Sequence, residues 1–269
     1  MNDSPVPTDA ANSLRLLSCN ILAGARVQRY REYFTRSWAS VLPTRAKQAN
    51  LDQLANLFEQ FDVIGLQEAD AGSLRSGFRN QTRYLAEAAG MPFWSYQPNR
   101  PIGRLAHTAN GLISRLEPQD VLDYPLPGRV PGRGVMLASF RQGDETLAVA
   151  IAHLSLGTQA RARQLDFIAE LLESFPHAVL MGDLNTDAGS PEMRRLFRRT
   201  QLQPPVQPTP TFPSWRPQRA IDHILISDAL SLDKVWTLEP AFSDHLPLAA
   251  QITLPDSMRA IDPAKQLSA

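Results

Sequence analysis

Residues 179–187 read VLMGDLNTD: an apolar run suited to a buried strand, followed abruptly by Gly182-Asp183-Leu184-Asn185-Thr186-Asp187. An ordinary turn also uses Gly, Asp and Asn, for positive φ and for side-chain bonds to its own backbone, so a single such stretch carries little weight. The weight comes from repetition, because other apolar runs of this chain end in the same way.

Those runs are LRLLSCN (14–20), DVIGLQ (62–67), GVMLASF (134–140), TLAVAIA (146–152), AVLMG (178–182), IDHILIS (221–227) and LAAQITL (248–254), each short and bounded by polar or turn residues as buried strands are. Gln142-Gly143-Asp144-Glu145 between the third and fourth reads as a hairpin, so part of the sheet is antiparallel. Residues 44–60 place Leu51, Leu54, Ala55 and Phe58 on one helical face, and residues 158–174 do the same with Leu165, Ile168, Ala169 and Leu172. Thr158 and Ser190 are positioned to cap helix starts, Pro191 suits a first helical position and Gly90 a stop. Strands mixed with helices, some joined by hairpins, mean an α/β fold in which helices cover sheet.

The ends of the runs collect the chemistry. Asn20 follows the first, Gln67-Glu68 the second, His153 the run after the hairpin, and Asp183 with Asn185 the stretch quoted above. Each can bind a metal, take a proton or hold a phosphate oxygen. Later come Asp222-His223, at the head of an apolar strand, and Ser243-Asp244-His245, just before the last one. An aspartate beside an apolar strand is costly unless paired. A histidine is the natural partner, since the carboxylate fixes its tautomer and supports its cation.

With 269 residues, 43% hydrophobic and 20% charged, the chain has globular composition, and no linker or repeat divides residues 14–254, which are expected to form one domain between flexible termini, 1–13 and 255–269. The 27 basic and 27 acidic residues cancel, leaving no general field for a polyanion. The N-terminal MNDSPVPTDAANS has neither a basic start nor an apolar run, no stretch is long enough to span a bilayer, and Cys19 has no second cysteine to pair with, so a cytoplasmic protein is expected.

The ordered set CNILAG, GLQEAD, ANGLISR, AHLSLG, MGDLNTD, AIDHILIS and FSDHLPL resembles the endonuclease/exonuclease/phosphatase (DNase I-like) superfamily, over residues 14–254. The resemblance implies a four-layer α/β/β/α sandwich and a Mg2+-dependent phosphoester hydrolase, with Mn2+ a possible substitute. Residue by residue it makes Glu68 the principal metal ligand with Asn20 beside it, and Asp244 a further metal-site carboxylate. Asp183 resembles the group that orients or deprotonates the attacking water, and Asn185 the one that holds a phosphate oxygen. His245 resembles the catalytic histidine, paired with Asp222; His153 resembles a second, phosphate-contacting histidine; Asn110 falls where the family supports the site and its substrate. The residue chemistry agrees: carboxylates and amides suit a hard cation that keeps water and substrate oxygens as its other ligands.

Substrate choice must lie in the loops. GARVQRYREYFTRSWASVLP (24–43) mixes Arg26, Arg29, Arg31 and Arg36 with Tyr30, Tyr33, Phe34 and Trp38, while TPTFPSWRPQRAID (209–222) adds Trp215, Arg216 and Arg219. Arginine beside aromatics grips a phosphate and stacks a base, or meets a lipid headgroup. With no net charge, and with QEAD closer to the lipid, inositol-phosphate and deadenylase branches than to repair nucleases, the expected substrate is a lipid-linked or small phosphoester, with DNA or RNA as the alternative. An inactive binding module of the same fold is the reading from another class. Of the remaining histidines, His177 reads as a loop residue, His223 as packing, and His107 as a neighbour of Asn110.

Overall fold

The computed structural model describes residues 12–25, 44–102, 105–128 and 132–258. Its strands are β1 (Ser13–Asn20), β2 (Val63–Asp70), β3 (Phe93–Ile102), β4 (Ala106–Ser114), β5 (Asp120–Pro125), β6 (Gly134–Gln142), β7 (Glu145–His153), β8 (His177–Asp183), β9 (Asp222–Ile226), β10 (Ser231–Thr237) and β11 (Leu248–Thr253). Its α-helices are α1 (Arg45–Phe58), α2 (Gln81–Ala88), α3 (Thr158–Leu172) and α4 (Pro191–Arg199). One mixed sheet runs β10-β11-β1-β2-β4-β3 and the other β5-β6-β7-β8-β9.

The two-residue period of the strands makes the layers. Leu14 and Leu16 of β1 face the core between the sheets with Val149, Val179 and Met181, whereas Leu17 and Cys19 face the opposite side and pack with Leu51, Leu54 and Phe58 of α1. On the second sheet, Ala178 and Leu180 of β8 face Leu165, Ile168 and Leu172 of α3. Both sheets are therefore apolar on both faces and covered by helices outside, the four-layer α/β/β/α sandwich. Phe58, fully buried between α1 and the first sheet, is one pin of the outer layer; truncating such a side chain to alanine costs about 3–5 kcal/mol.

The hairpin forms as read, with Gln142 opposite Glu145 and Gly143 at φ 63°. Ser190 caps α4, accepting from Met193 N, with Pro191 in the first turn. Thr158 does not cap α3: Gly157 occupies that position, and the Thr158 hydroxyl accepts from Arg161 instead. The seven runs omit β3, β4, β5 and β10. β5 and β10 are edge strands with largely exposed or half-buried residues, and β3 is an edge strand carrying Pro98 and Pro101, so none shows a clean apolar run. The packed structure also passes both bounds read from sequence: Ser13 pairs with Thr253, and Met258, in a single 3-10 turn, is buried against the inter-sheet core. Among the described residues no helix is long and apolar enough to cross a membrane.

Candidate active site

Strand direction gathers the polar residues. β1 and β2 are parallel, with Asn20 beside Gln67, and β7 and β8 are parallel, with His153 beside Asp183. Antiparallel β9 sets Asp222 opposite Asp183. The four C-terminal strand ends thus meet at one edge of the sandwich, where Asn20 Nδ2 donates to Asp183 Oδ2 at 3.3 Å across the two sheets. His153 Nε2 lies 3.4 Å from the same oxygen and 3.9 Å from Glu68 Oε1.

Two backbone devices aim the carboxylates. Between Leu66 and Ala69 the β2–β4 register slips, and Glu68 sits in that bulge at φ 57°. A non-glycine residue there carries about 1–2 kcal/mol of strain, and the bulge turns its side chain out of the strand's alternation. Gly182, at φ 143°, does the same for Asp183: a Cβ on it would fall 1.9 Å from the Ala152 carbonyl oxygen. The Gly-Asp step of the quoted stretch is therefore a close approach of β8 to β7.

Asp222 and His245 form a buried pair, His245 Nδ1 to Asp222 Oδ2 at 2.8 Å. Thr211 donates its hydroxyl to the same oxygen at 2.5 Å, and the Phe212 ring leans on the imidazole at a centroid distance of 4.9 Å. Ser243 ties the His245 turn to β1: its hydroxyl donates to Asn20 O at 2.5 Å and accepts from His245 N. Burial opposes a charge on His245, but the Asp222 charge and hydrogen bond, with Asp183 and Asp244, outweigh it and push the imidazole up to about 10. The ring is cationic at neutral pH, with Nε2 3.8 Å from Asp183 Oδ2.

Asp183 is held by Asn20 and by the Asn185 backbone N–H, yet burial, then the Asp222 charge, raise its carboxyl far above the ordinary carboxylate range. His153 moves the other way: burial, then Arg133 and His245, push it well below its ordinary value. It is neutral, so its contacts with Asp183 and Glu68 are not ion pairs. Asn185, at φ 54°, donates its amide to Leu154 O. Glu68 is raised by burial and then by the charge of Asp244, with Arg133, His245 and Arg75 opposing.

Two arrangements could hold a metal ion. Asp183, Asp222 and His245 offer ligand atoms within 4.8 Å of one another. Glu68 and Asp244 are close enough to repel, a repulsion that a dication would remove.

Other expected residues lie elsewhere. Asn110 is fully buried; its amide donates to Gln97 Oε1 and Gly134 O, joining β4 to β6 across the sandwich. Trp215 is half-buried and Arg216 exposed, on a segment held beside the cluster by Ser214 N donating to Asp244 O at 2.7 Å. His177 is not in a loop: it opens β8, buried, and pairs with Glu145. His223 packs and bonds Thr186 O at 2.8 Å. Asn20 turns its amide to Asp183 and to Leu22 N. Residues 26–43, with the first aromatic-arginine loop, lie outside the described residues. Sequence reasoning passed over Thr211, Phe212 and Arg133. Thr211 and Phe212 carry no signal beyond the loop TPTFP, and Arg133 none beyond its place before β6.

A search of curated proteins found no match to the sequence. Among solved structures, an endonuclease/exonuclease/phosphatase from Beutenbergia cavernae DSM 12333 superposes with a TM-score of 0.71 at 20% identity, over 91% of this chain and 72% of that one. The mannosyl-6-phosphatase Bt3783 of Bacteroides thetaiotaomicron VPI-5482 gives 0.65 at 17%, over 90% and 100%, and sphingomyelinase C from Streptomyces griseocarneus gives 0.62 at 16%, over 89% and 99%. At these identities the likeness is one of fold. The family model "Endonuclease/Exonuclease/phosphatase family" matches residues 17–245, nearly the whole sandwich and every strand end that meets at the cluster, and the chain belongs to that family.

Proposed function

We propose that the protein is a divalent-metal-dependent phosphoester hydrolase, using Mg2+ or, as a substitute, Mn2+, on a lipid-linked or small phosphoester. The observation that carries this reading is the meeting, at one edge, of the repelling Glu68 and Asp244 carboxylates with a buried cationic histidine. Glu68 and Asp244 would hold the ion with Asn20 beside them. The Asp183, Asp222 and His245 group is the weaker claimant, because one Asp222 oxygen already accepts from both His245 and Thr211. All-oxygen ligands suit Mg2+ or Mn2+ better than zinc. When bound, the ion would neutralise nonbridging phosphate oxygens.

The chain's own groups supply the rest. Asp183, raised towards neutrality, orients a water and accepts its proton, which a carboxylate in the ordinary range does less well at pH 7. His245, fixed by Asp222, presents a cationic Nε2–H to the charge that develops on phosphorus oxygens. His153 and the second N–H of Asn185 are neutral donors for the same oxygens. Trp215 and Arg216, next to Asp244, contact the alcohol portion of the substrate. A chain without net charge suits one headgroup better than a long duplex, whose binding neutralises several phosphates at once.

The test is turnover of bis(p-nitrophenyl) phosphate with Mg2+, then a panel of phospholipids, inositol phosphates, small diesters, RNA and plasmid DNA. EDTA should abolish turnover, and lipid-linked or small esters should lead the panel. No metal-dependent turnover of any ester would leave the binding-module reading standing. Efficient, strongly salt-sensitive plasmid nicking with the other esters untouched would make the protein a nuclease.

A further inference from the structure

Three segments carry the residues given to the metal: the end of β1 with Asn20, the end of β2 with Glu68, and the turn before β11 with Asp244. The first two are neighbours in the sheet. Asp244 is not, because the pairing of β11 with β1 ends at Leu248. Its charge also repels Glu68, so the two carboxylates oppose their own approach.

Two buried amides from the outer helices connect these segments. After Asn20 the chain makes one turn in which Leu22, Ala23 and Gly24 all lie in the left-handed region, at φ 42°, 51° and 78°. That conformation is unfavourable for Leu and Ala and persists only where the surroundings fix it. Gln81 Nε2, at the first residue of α2, donates to Ala23 O at 3.0 Å, and Asn50 Nδ2, in α1, donates to Gly24 O at 3.2 Å. Each amide has a second partner. Asn50 Nδ2 gives its other hydrogen to Phe242 O at 2.8 Å, two residues before Asp244, and Gln81 Oε1 accepts from Asp70 N at 2.8 Å, two residues after Glu68. Both side chains are buried, and a Cβ on Gly24 would lie 3.3 Å from Leu51 Cγ and 3.4 Å from Gln81 Nε2, so the turn sits directly on the two helices. The first N–H of the turn, that of Leu22, donates to Asn20 Oδ1 at 3.2 Å.

We propose that Asn50 and Gln81 are positioning residues of the metal site: through the left-handed turn they set the separation of Glu68 and Asp244, so that the two carboxylates are in place before a dication arrives. The inference rests on the metal assignment above. The strap is continuous, from Phe242 through Asn50 to Gly24, and from Ala23 through Gln81 to Asp70. Its amides are neutral and add no charge to compete with the ion. Mg2+ demands near-ideal octahedral geometry whereas Ca2+ accepts a looser one, so a fixed separation favours Mg2+.

The variants are Asn50→Leu and Gln81→Met, apolar side chains of similar size. The controls are Thr44→Ala and Asn80→Ala, which remove the side-chain caps of the same two helices, bonded to Lys47 N and Arg83 N, and leave the strap intact. Calorimetry gives the Mg2+ and Ca2+ affinities, and thermal melts are recorded for all four. Each strap variant should weaken Mg2+ binding at least fivefold and lower the ratio of Mg2+ to Ca2+ affinity at least threefold, while the controls melt lower and bind both ions within twofold of wild type. In wild type, the Asp70 N–H should be protected from hydrogen exchange to within tenfold as strongly without the ion as with it, a measurement that stands even where a strap variant does not fold. Strap variants that keep their Mg2+ affinity or the wild-type ion ratio, controls that lose as much affinity as the strap variants, or Asp70 protection that develops only with Mg2+ overturn the strap and leave the hydrolase reading standing. A wild-type chain that binds neither ion removes the metal assignment and the proposal together.

Discussion

Replacing Asp222 by Asn keeps the shape of the side chain and removes its charge. His245 stands at about 10, against an ordinary value of about 6.5. That gap, roughly 3.5 at about 1.4 kcal/mol each, is about 5 kcal/mol of preference for the cation. Among the groups that raise it Asp222 comes first, by its charge and by its hydrogen bond, with Asp183 and Asp244 behind it, all working against burial. Once Asp222 is neutral, burial pulls the imidazole back towards or below its ordinary value, and a cation lost from the transition state at neutral pH costs roughly a hundredfold in kcat. The midpoint is read from long-range 1H–15N correlation spectra of metal-free protein, with His245→Gln assigning the resonance. Stability follows the same proton. A histidine raised in the folded state stabilises fully below pH about 6.5, and the contribution is lost as pH rises through about 10. Urea denaturation of metal-free wild type should therefore weaken between pH 7 and 10, and Asp222→Asn should flatten that slope. The raised Asp183 acts in a lower window, between about 4 and 7, so the two effects separate. A His245 midpoint that stays near 10 in Asp222→Asn, or turnover within twofold of wild type, would refute the assigned pairing.

Glu68→Gln should weaken Mg2+ binding and activity together, with excess Mg2+ restoring part of the rate; full activity at low Mg2+ would remove Glu68 from the metal site. Gly182→Ala must push β7 and β8 apart at the Ala152 carbonyl, so a loss of more than about 4 kcal/mol is expected in urea denaturation, and near-wild-type stability would contradict the close approach. Glu192→Ala takes the counter-charge from the buried Arg161 guanidinium, bonded to Glu192 at 2.9 Å, and leaves it only its bonds to Ser155 O, Leu156 O and Thr158 Oγ1, so it should cost about 3 kcal/mol by the same measurement; a loss under about 1 kcal/mol would show that those bonds or water suffice for the arginine. Trp215→Ala and Arg216→Ala should raise KM for the preferred ester and leave the Mg2+ affinity of the metal carboxylates unchanged, which metal titrations followed by calorimetry can check.

The sequence by itself determined the buried strands, the two long helices and the residues at the strand ends. Each of these is written locally, as apolar runs that stop at Asn20, Glu68, His153 and Asp183. It left β3, β4, β5 and β10 unread: β5 and β10 are edge strands with largely exposed or half-buried residues, β3 is an edge strand interrupted by Pro98 and Pro101, and β4 opens on half-buried polar residues. Only the tertiary structure decided which polar residues share a site. Parallel pairing of β1 with β2 and of β7 with β8 brings their ends to one edge, whereas Asn110, alike in type to Asn20, is walled in between the sheets. The protonation states belong to the fold as well. His153 and His245 are the same residue type at neighbouring points of one cluster, one neutral and one cationic. The difference comes chiefly from Asp222, 23 residues before His245, and no local pattern can encode a charge that is set by desolvation and by a partner so distant in the chain.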